Sequence, residues 1–119
     1  MHFFKNLEVW KLSMETIVEI YKATDAFPVK EQFGLISQIN RSAVSIAANI
    51  AEGCGRNTTK DFNHFLDISL GSSFELETLI IASQNIGYLS EEKSLSTINK
   101  IHSIQKMLYA LRRSTNKPR

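Results

Sequence analysis

A single cysteine, two prolines and five glycines among 119 residues leave little from which to build a disulfide scaffold, a turn-rich β-sandwich or a disordered tail. Cys54 has no second cysteine to pair with, and it fits a reducing, cytoplasmic compartment. The start, Met1-His2-Phe3-Phe4-Lys5-Asn6, lacks the basic segment and the apolar run of about 7–15 residues that mark a secretory signal. Charge-free stretches such as Ser42–Ala51 fall far short of the roughly 20 apolar residues that span a bilayer. Neither sign of charge dominates: 14 Lys and Arg against 12 Asp and Glu give a net charge of +2, which neither demands nor excludes a nucleic-acid partner. What remains is an ordinary globular balance, 43% hydrophobic and 22% charged. A chain of this length buries enough surface for a core without metal or disulfide staples, so residues 1–119 are expected to form one soluble domain.

Apolar periodicity predicts four helices, over about 6–25, 29–53, 59–86 and 90–114. In the first, Leu7, Trp10, Met14, Ile17 and Tyr21 recur at alternating steps of three and four and should line the buried face, with Pro28 closing the unit. In the second, Ile36, Ile39, Ala43, Ile46 and Ile50 repeat the pattern, and Gly53-Cys54-Gly55 should supply a left-handed cap. Thr58 followed by Asp61 reads as an N-cap to the third helix, whose seam runs through Phe62, Phe65, Leu66, Ser69, Ser73, Leu76, Leu79 and Ile80 to a stop at Gly87. Ser90-Glu91-Glu92 opens the fourth, which carries Leu95, Ile98, Ile101, Ile104, Leu108 and Leu111. The fold class is all-α, an antiparallel up-down-up-down four-helix bundle. Phe3 and Phe4 could form a lid, and the end from Ser114 should be frayed.

The second helix is apolar almost all round between Ser42 and Glu52, more than one face of a bundle can bury. Either it meets another subunit or its alanines are simply helix formers that tolerate solvent. Its polar residues, Gln38, Arg41, Ser45, Asn49, Glu52 and Arg56, fall on one line, either a wet face or a seam against a neighbouring helix. Antiparallel geometry sets Arg41 level with Glu75 and predicts an ion pair, within the chain or across a subunit contact.

Catalytic chemistry is sparsely represented. His64 has one acid at ligand spacing, Asp61, but no Glu-x-x-His motif of a di-iron bundle is present. Cys54 sits at a helix C-terminus, the wrong pole for a reactive thiolate. The Gly53-Cys54-Gly55 stretch lacks the Lys-Ser/Thr ending of a phosphate loop, and Gly71 is better read as a close helix contact. No catalytic residue, metal or cofactor is assigned. Charge is informative once divided. Residues 58–99 carry six acids and two bases, whereas residues 100–119 carry six bases and no acid. Lys100, Lys106, Arg112 and Arg113 are the candidate nucleic-acid contacts; the competing reading is helix-dipole complementation and a soluble tail.

Several runs resemble one family across nearly the whole chain: Leu7-Glu8-Val9-Trp10, Phe27-Pro28, the stretch from Gln38 to Gly53, Phe62-Asn63-His64-Phe65-Leu66, Gly71 to Glu77, and Gly87-Tyr88-Leu89. The Arg41, Ser45, Asn49, Glu52, Gly53 spacing is the most specific part. On these residues the chain resembles the 23S rRNA intervening-sequence proteins. The resemblance implies a four-helix bundle that assembles as a homopentamer, with no established catalytic activity. A similar bundle serves the reverse transcriptase of diversity-generating retroelements as a basic pentamer that contacts nucleic acid and the polymerase. The acidic middle of this chain departs from that basic pattern. The combined expectation is a non-enzymatic, cytoplasmic, ring-like homo-oligomer. It would act as a nucleic-acid-binding or accessory scaffold, with RNA, DNA or a protein as partner and no membrane. The alternative is a protein-interaction adaptor that binds no nucleic acid. The family-motif stripe, Arg41, Ser45, Asn49, Glu52 and Glu75, is the second set of site candidates.

Overall fold

The computed structural model describes residues 2–115 and is all-helical, with four helices: α1 Glu8–Thr24, α2 Leu35–Cys54, α3 Thr59–Ile86 and α4 Glu91–Thr115. Each of α2 and α4 packs against both α1 and α3, giving an elongated bundle of 50 × 24 × 20 Å. Neighbours run in opposite directions, because their contacts climb one helix while descending the other. On α1 and α4, Glu19 reaches Ser96 and Thr97 while Glu15 reaches Lys100. On α3 and α4, Glu77 meets His102 and Asp67 meets Arg112. On α2 and α3, Ser45 meets Ser72 and the carbonyl of Ile46 accepts from Ser69.

The helix ends follow from local chemistry. Thr58 Oγ1 accepts the amide of Asp61 at 3.1 Å, and Ser90 Oγ accepts that of Lys93 at 3.2 Å, each satisfying an orphan donor of a first turn. Gly87, at φ 100°, closes α3: its amide reaches Gln84 and Ser83, and the Tyr88 amide reaches Ser83, a paired capping geometry open mainly to glycine. The predicted left-handed cap at Gly53-Cys54-Gly55 is not formed. Gly53 lies inside α2 and Gly55 is right-handed at φ −85°. Gly53 instead answers to packing, since a Cβ there would stand 3.0 Å from Phe65 Cβ and 3.3 Å from the Phe62 carbonyl.

Two further expectations are corrected. The second helix begins at Leu35 rather than near 29, with Val29–Glu31 forming a separate 3-10 turn. Gly34 breaks the chain at φ −108°, ψ −108°, and Glu31 Oε1 takes the Leu35 amide. Glu31 Oε2 also accepts from Tyr88 Oη at 3.0 Å, tying the two loops at this end together. At the other terminus, Ser114 and Thr115, expected in the frayed end, lie in α4, and Thr115 Oγ1 donates to Asn63 Oδ1 at 2.9 Å. The remaining residues of that tail, including Lys117 and Arg119, lie outside the described residues. Phe4 does cover the core edge, packing edge-on to Trp10 at 5.2 Å, whereas Phe3 is exposed.

The largest correction concerns α1. Its fully buried line is Val9, Ser13, Thr16, Ile20 and Thr24; of the expected line Leu7, Trp10 and Ile17 pack half-buried against the core, whereas Met14 and Tyr21 are exposed. The physical reason is that a hydroxyl inside a helix can satisfy itself on the carbonyl one turn back. Ser13 donates to Val9 and Thr16 to Leu12, both at 2.7 Å. Buried Ser42, Ser73 and Ser83 do the same within their helices, while Ser69 bonds across to α2. Small, self-satisfied side chains let the helices close on Ile20, Ile39, Ile46, Ile50, Phe62, Leu66, Leu76, Ile80, Ile101, Ile104 and Leu108. The test of this packing is Gly53→Ala. Its new methyl meets a backbone-fixed Cβ and a carbonyl, so urea unfolding should show a loss of about 1–3 kcal/mol. An unchanged midpoint would mean α3 can move aside freely.

Candidate binding surfaces

α4 carries the four basic candidates, and the fold divides them. Lys100 Nζ lies 3.2 Å from Glu15 and 3.5 Å from Glu19 on α1, and the hydrogen bond it donates to Glu15 above all pushes the ammonium pKa up. Arg112 binds Asp67 of α3 through two nitrogens, at 2.7 and 3.0 Å, which raises the guanidinium pKa further. Such exposed pairs add little stability, but they commit both cations to carboxylates within the chain. Lys106 and Arg113 are exposed, and neither enters an ion pair among the described residues. Charge counted along the chain could not show this, because Glu15, Glu19 and Asp67 come from other helices. The signal that would have found them is the antiparallel register itself.

The helix starts and ends place Arg113 at the same end of the bundle as Lys5, before α1, and Lys60, at the start of α3. Both lysines are exposed and without an ion pair among the described residues. Asp61 is also at this end. His64 stacks edge-on to Phe65 at 5.4 Å. Among the described residues, no three of His, Cys, Asp and Glu come together as a metal would need. Burial pushes the Cys54 thiol up in pKa, away from the reactive thiolate. No helix among the described residues is long and apolar enough to cross a membrane.

The polar stripe of α2 runs along its α3-facing edge. Ser45 Oγ and Ser72 Oγ share a hydrogen bond of 2.8 Å across the groove, and Asn49 Nδ2 donates to both Ser45 oxygens at 2.8 and 3.0 Å. Glu52 pairs with Arg56 at 2.5 Å, and the Arg56 guanidinium lies 4.6 Å from the centre of the Phe65 ring. Arg41 and Glu75 are both exposed and, among the described residues, form no ion pair with each other. The predicted pair is therefore absent within the chain.

Large apolar side chains are exposed on three helices. Val18 is 54% exposed, Tyr21 48% and Met14 41% on α1; Val44 is 40% exposed on α2 and Ile68 38% on α3. Ala48 and Gly71 are exposed too, and a Cβ built at Gly71 meets nothing within 4 Å. Gly71 thus makes no close helix contact inside the chain, contrary to the sequence expectation. Sequence reasoning also missed Val18.

A third cluster joins α3 to α4. Glu77 accepts from Gln105 Nε2 at 3.0 Å and lies 2.9 Å from His102 Nε2. These two bonds, Gln105's first, hold the Glu77 carboxyl below the ordinary carboxylate range. A carboxylate with a lowered folded pKa stabilises the fold above its unfolded pKa, and that contribution fades as pH falls through the folded value. Glu77→Gln should therefore lose about 1 kcal/mol at pH 7, and the gap from the native chain should close below about pH 4. Urea unfolding at pH 7 and pH 3 checks this, and a gap constant with pH would rule it out.

Together these features define an all-helical four-helix-bundle protein whose uncommitted groups lie on its helix faces. The chain belongs to the 23S rRNA-intervening sequence protein family, whose family model matches residues 5–110. A solved structure from Bacteroides thetaiotaomicron VPI-5482, described as a protein with unknown function from the S23 ribosomal protein family, is similar throughout. It shares 32% identity with a TM-score of 0.78, over 87% of this chain and 97% of that one. No curated protein sequence matches.

Proposed function

We propose that this chain is a non-enzymatic scaffold that assembles from identical copies into a closed ring, in which the α1–α2 side of one copy packs on the α2–α3 side of the next. The observation that carries this reading is the arrangement of α1 and α2. α1 turns Ser13, Thr16 and Thr24 inward while leaving Met14, Val18 and Tyr21 exposed, and α2 leaves Val44 and Ala48 exposed. Contiguous exposed apolar side chains rimmed by polar ones mark protein interfaces. A bundle side of about 50 × 20 Å offers on the order of 1,000 Å², against the roughly 800 Å² per partner of a standard interface.

The geometry also favours closure. Adjacent sides of a four-helix bundle stand roughly at right angles, and a ring needs contact sides about 90° apart for four copies or about 108° for five. Five is the number that the family resemblance implies. α2 belongs to both sides, which accounts for its apolar circumference.

Gly71→Leu tests the scaffold. The added side chain meets nothing in the chain and improves helix propensity, so circular dichroism should show an intact fold. Light scattering should show a native oligomer of about five copies at micromolar concentration, split by this variant. A native monomer at that concentration would overturn the proposal.

A second reading, nucleic-acid contact, is favoured by Lys5, Lys60 and Arg113 at one end, which form no ion pair among the described residues, with Lys106 further along α4. A ring would repeat that end on one rim and multiply its field. RNA or DNA affinity should then fall steeply with salt, and Lys106→Ala/Arg113→Ala should flatten the salt slope by roughly two charges per copy in contact. No binding at low salt would leave the adaptor reading in its place.

A further inference from the structure

The recess between α1 and α2 is built to receive a cation, and we infer that Arg41 of a second copy occupies it, pairing with Asp25 and fixing the register of the ring. This rests on the self-assembly proposed above and names the contact that would set it. The recess measures about 380 Å³ and is lined by Tyr21, Asp25, Ile36 and Asn40 among others. Asp25 is the C-cap of α1. A carboxylate there stands at the negative pole of the helix dipole, where anions are disfavoured and cations welcome. Among the described residues no cation answers it: Asp25 enters no ion pair, although Lys22 lies one turn back on the same helix. The half-exposed Tyr21 ring adds a face on which a guanidinium can stack.

Arg41 is the matching group. It is exposed, unpaired among the described residues, and sits one turn before Ser45, whose hydroxyl meets Ser72 of α3. It therefore belongs to the α2–α3 side, whereas Asp25 belongs to the α1–α2 side. The two are level along the bundle, because Thr24 Oγ1 donates to Asn40 Oδ1 at 3.2 Å. In a cyclic ring every copy points the same way along the axis, so groups that pair across a contact lie at one height. Asp25 and Arg41 meet that requirement, with opposite charge and on different sides. The apolar groups share the register: Met14 lies further from this end of the bundle on α1, as Val44 and Ala48 do on α2.

The experiment is a charge exchange followed by light scattering, with circular dichroism to verify the fold. Arg41→Glu and Asp25→Arg should each weaken assembly by roughly tenfold or more. Combined in one chain they should restore it, since the pair is re-formed with its charges exchanged. Losses that simply add in the double variant, while the native chain remains oligomeric, would overturn this pair and leave the scaffold reading standing. A native monomer would remove both. Rescue of Arg41→Glu by Glu75→Arg instead would also overturn it, placing the α2–α3 side against its own kind.

Discussion

α2 has more apolar surface than one bundle can bury, and much of the architecture answers to that constraint. Its core line, Ile39, Ala43, Ile46 and Ile50, is filled by the other three helices. Its remaining alanines and Val44 lie outside that line, yet they continue the same helix without a charged residue between Arg41 and Glu52. A helix apolar on several sides is stable in water only when more than one side is covered. On the proposed reading the chain would then make two contacts with one helix, one inside itself and one beyond.

The inner contact is made close by small residues. Gly53 lets Phe62 and Phe65 cross α2, and Ser69 hands its hydrogen to the Ile46 carbonyl. Serines and threonines serve here because their hydroxyls are satisfied on backbone carbonyls, so burial does not leave an unpaired polar atom. Among the described residues only Ser94 departs from this rule, its buried Oγ having no partner. The consequence reaches the surface. With Ser13, Thr16 and Thr24 on the inner face of α1, Met14, Val18 and Tyr21 are left exposed.

That exchange marks the limit of what the sequence discloses. Helix number, most helix ends, the Thr58 cap and the α2 core line were all legible, because each depends on local spacing or on a side chain reaching its own backbone. The α1 face was legible only in part: Leu7, Trp10 and Ile17 do pack on the core, but the fully buried Ser13 and Thr16 were not foreseen. A period of 3.6 residues says which residues share a side, but choosing the buried side by hydropathy assumes that polar means wet. Ser13 and Thr16 break that assumption through bonds only one turn long. The Gly34 break was likewise hidden, since Val29 and Phe33 extend the apolar pattern while both are almost fully exposed.

The candidate surfaces were legible in part for a related reason. The polar stripe of α2 could be drawn from spacing alone, and its Ser45–Asn49 stretch does run along the groove with α3. The basic segment of α4 could be counted but not interpreted, since ionic partners arrive from helices distant in sequence. A net charge of +2 conceals six cations in the last 20 residues, two of which are already held by Glu15, Glu19 and Asp67. Pairing of this kind removes positive potential at the flank of the bundle and leaves it at the end, where Lys5, Lys60 and Arg113 stand. A single copy presents too few such charges for strong phosphate binding. Affinity for a polyanion would thus be a property of the assembly, acquired only when the apolar sides bring several ends onto one rim. On the proposed reading self-association would come before any nucleic-acid contact, since the first would build the surface on which the second depends.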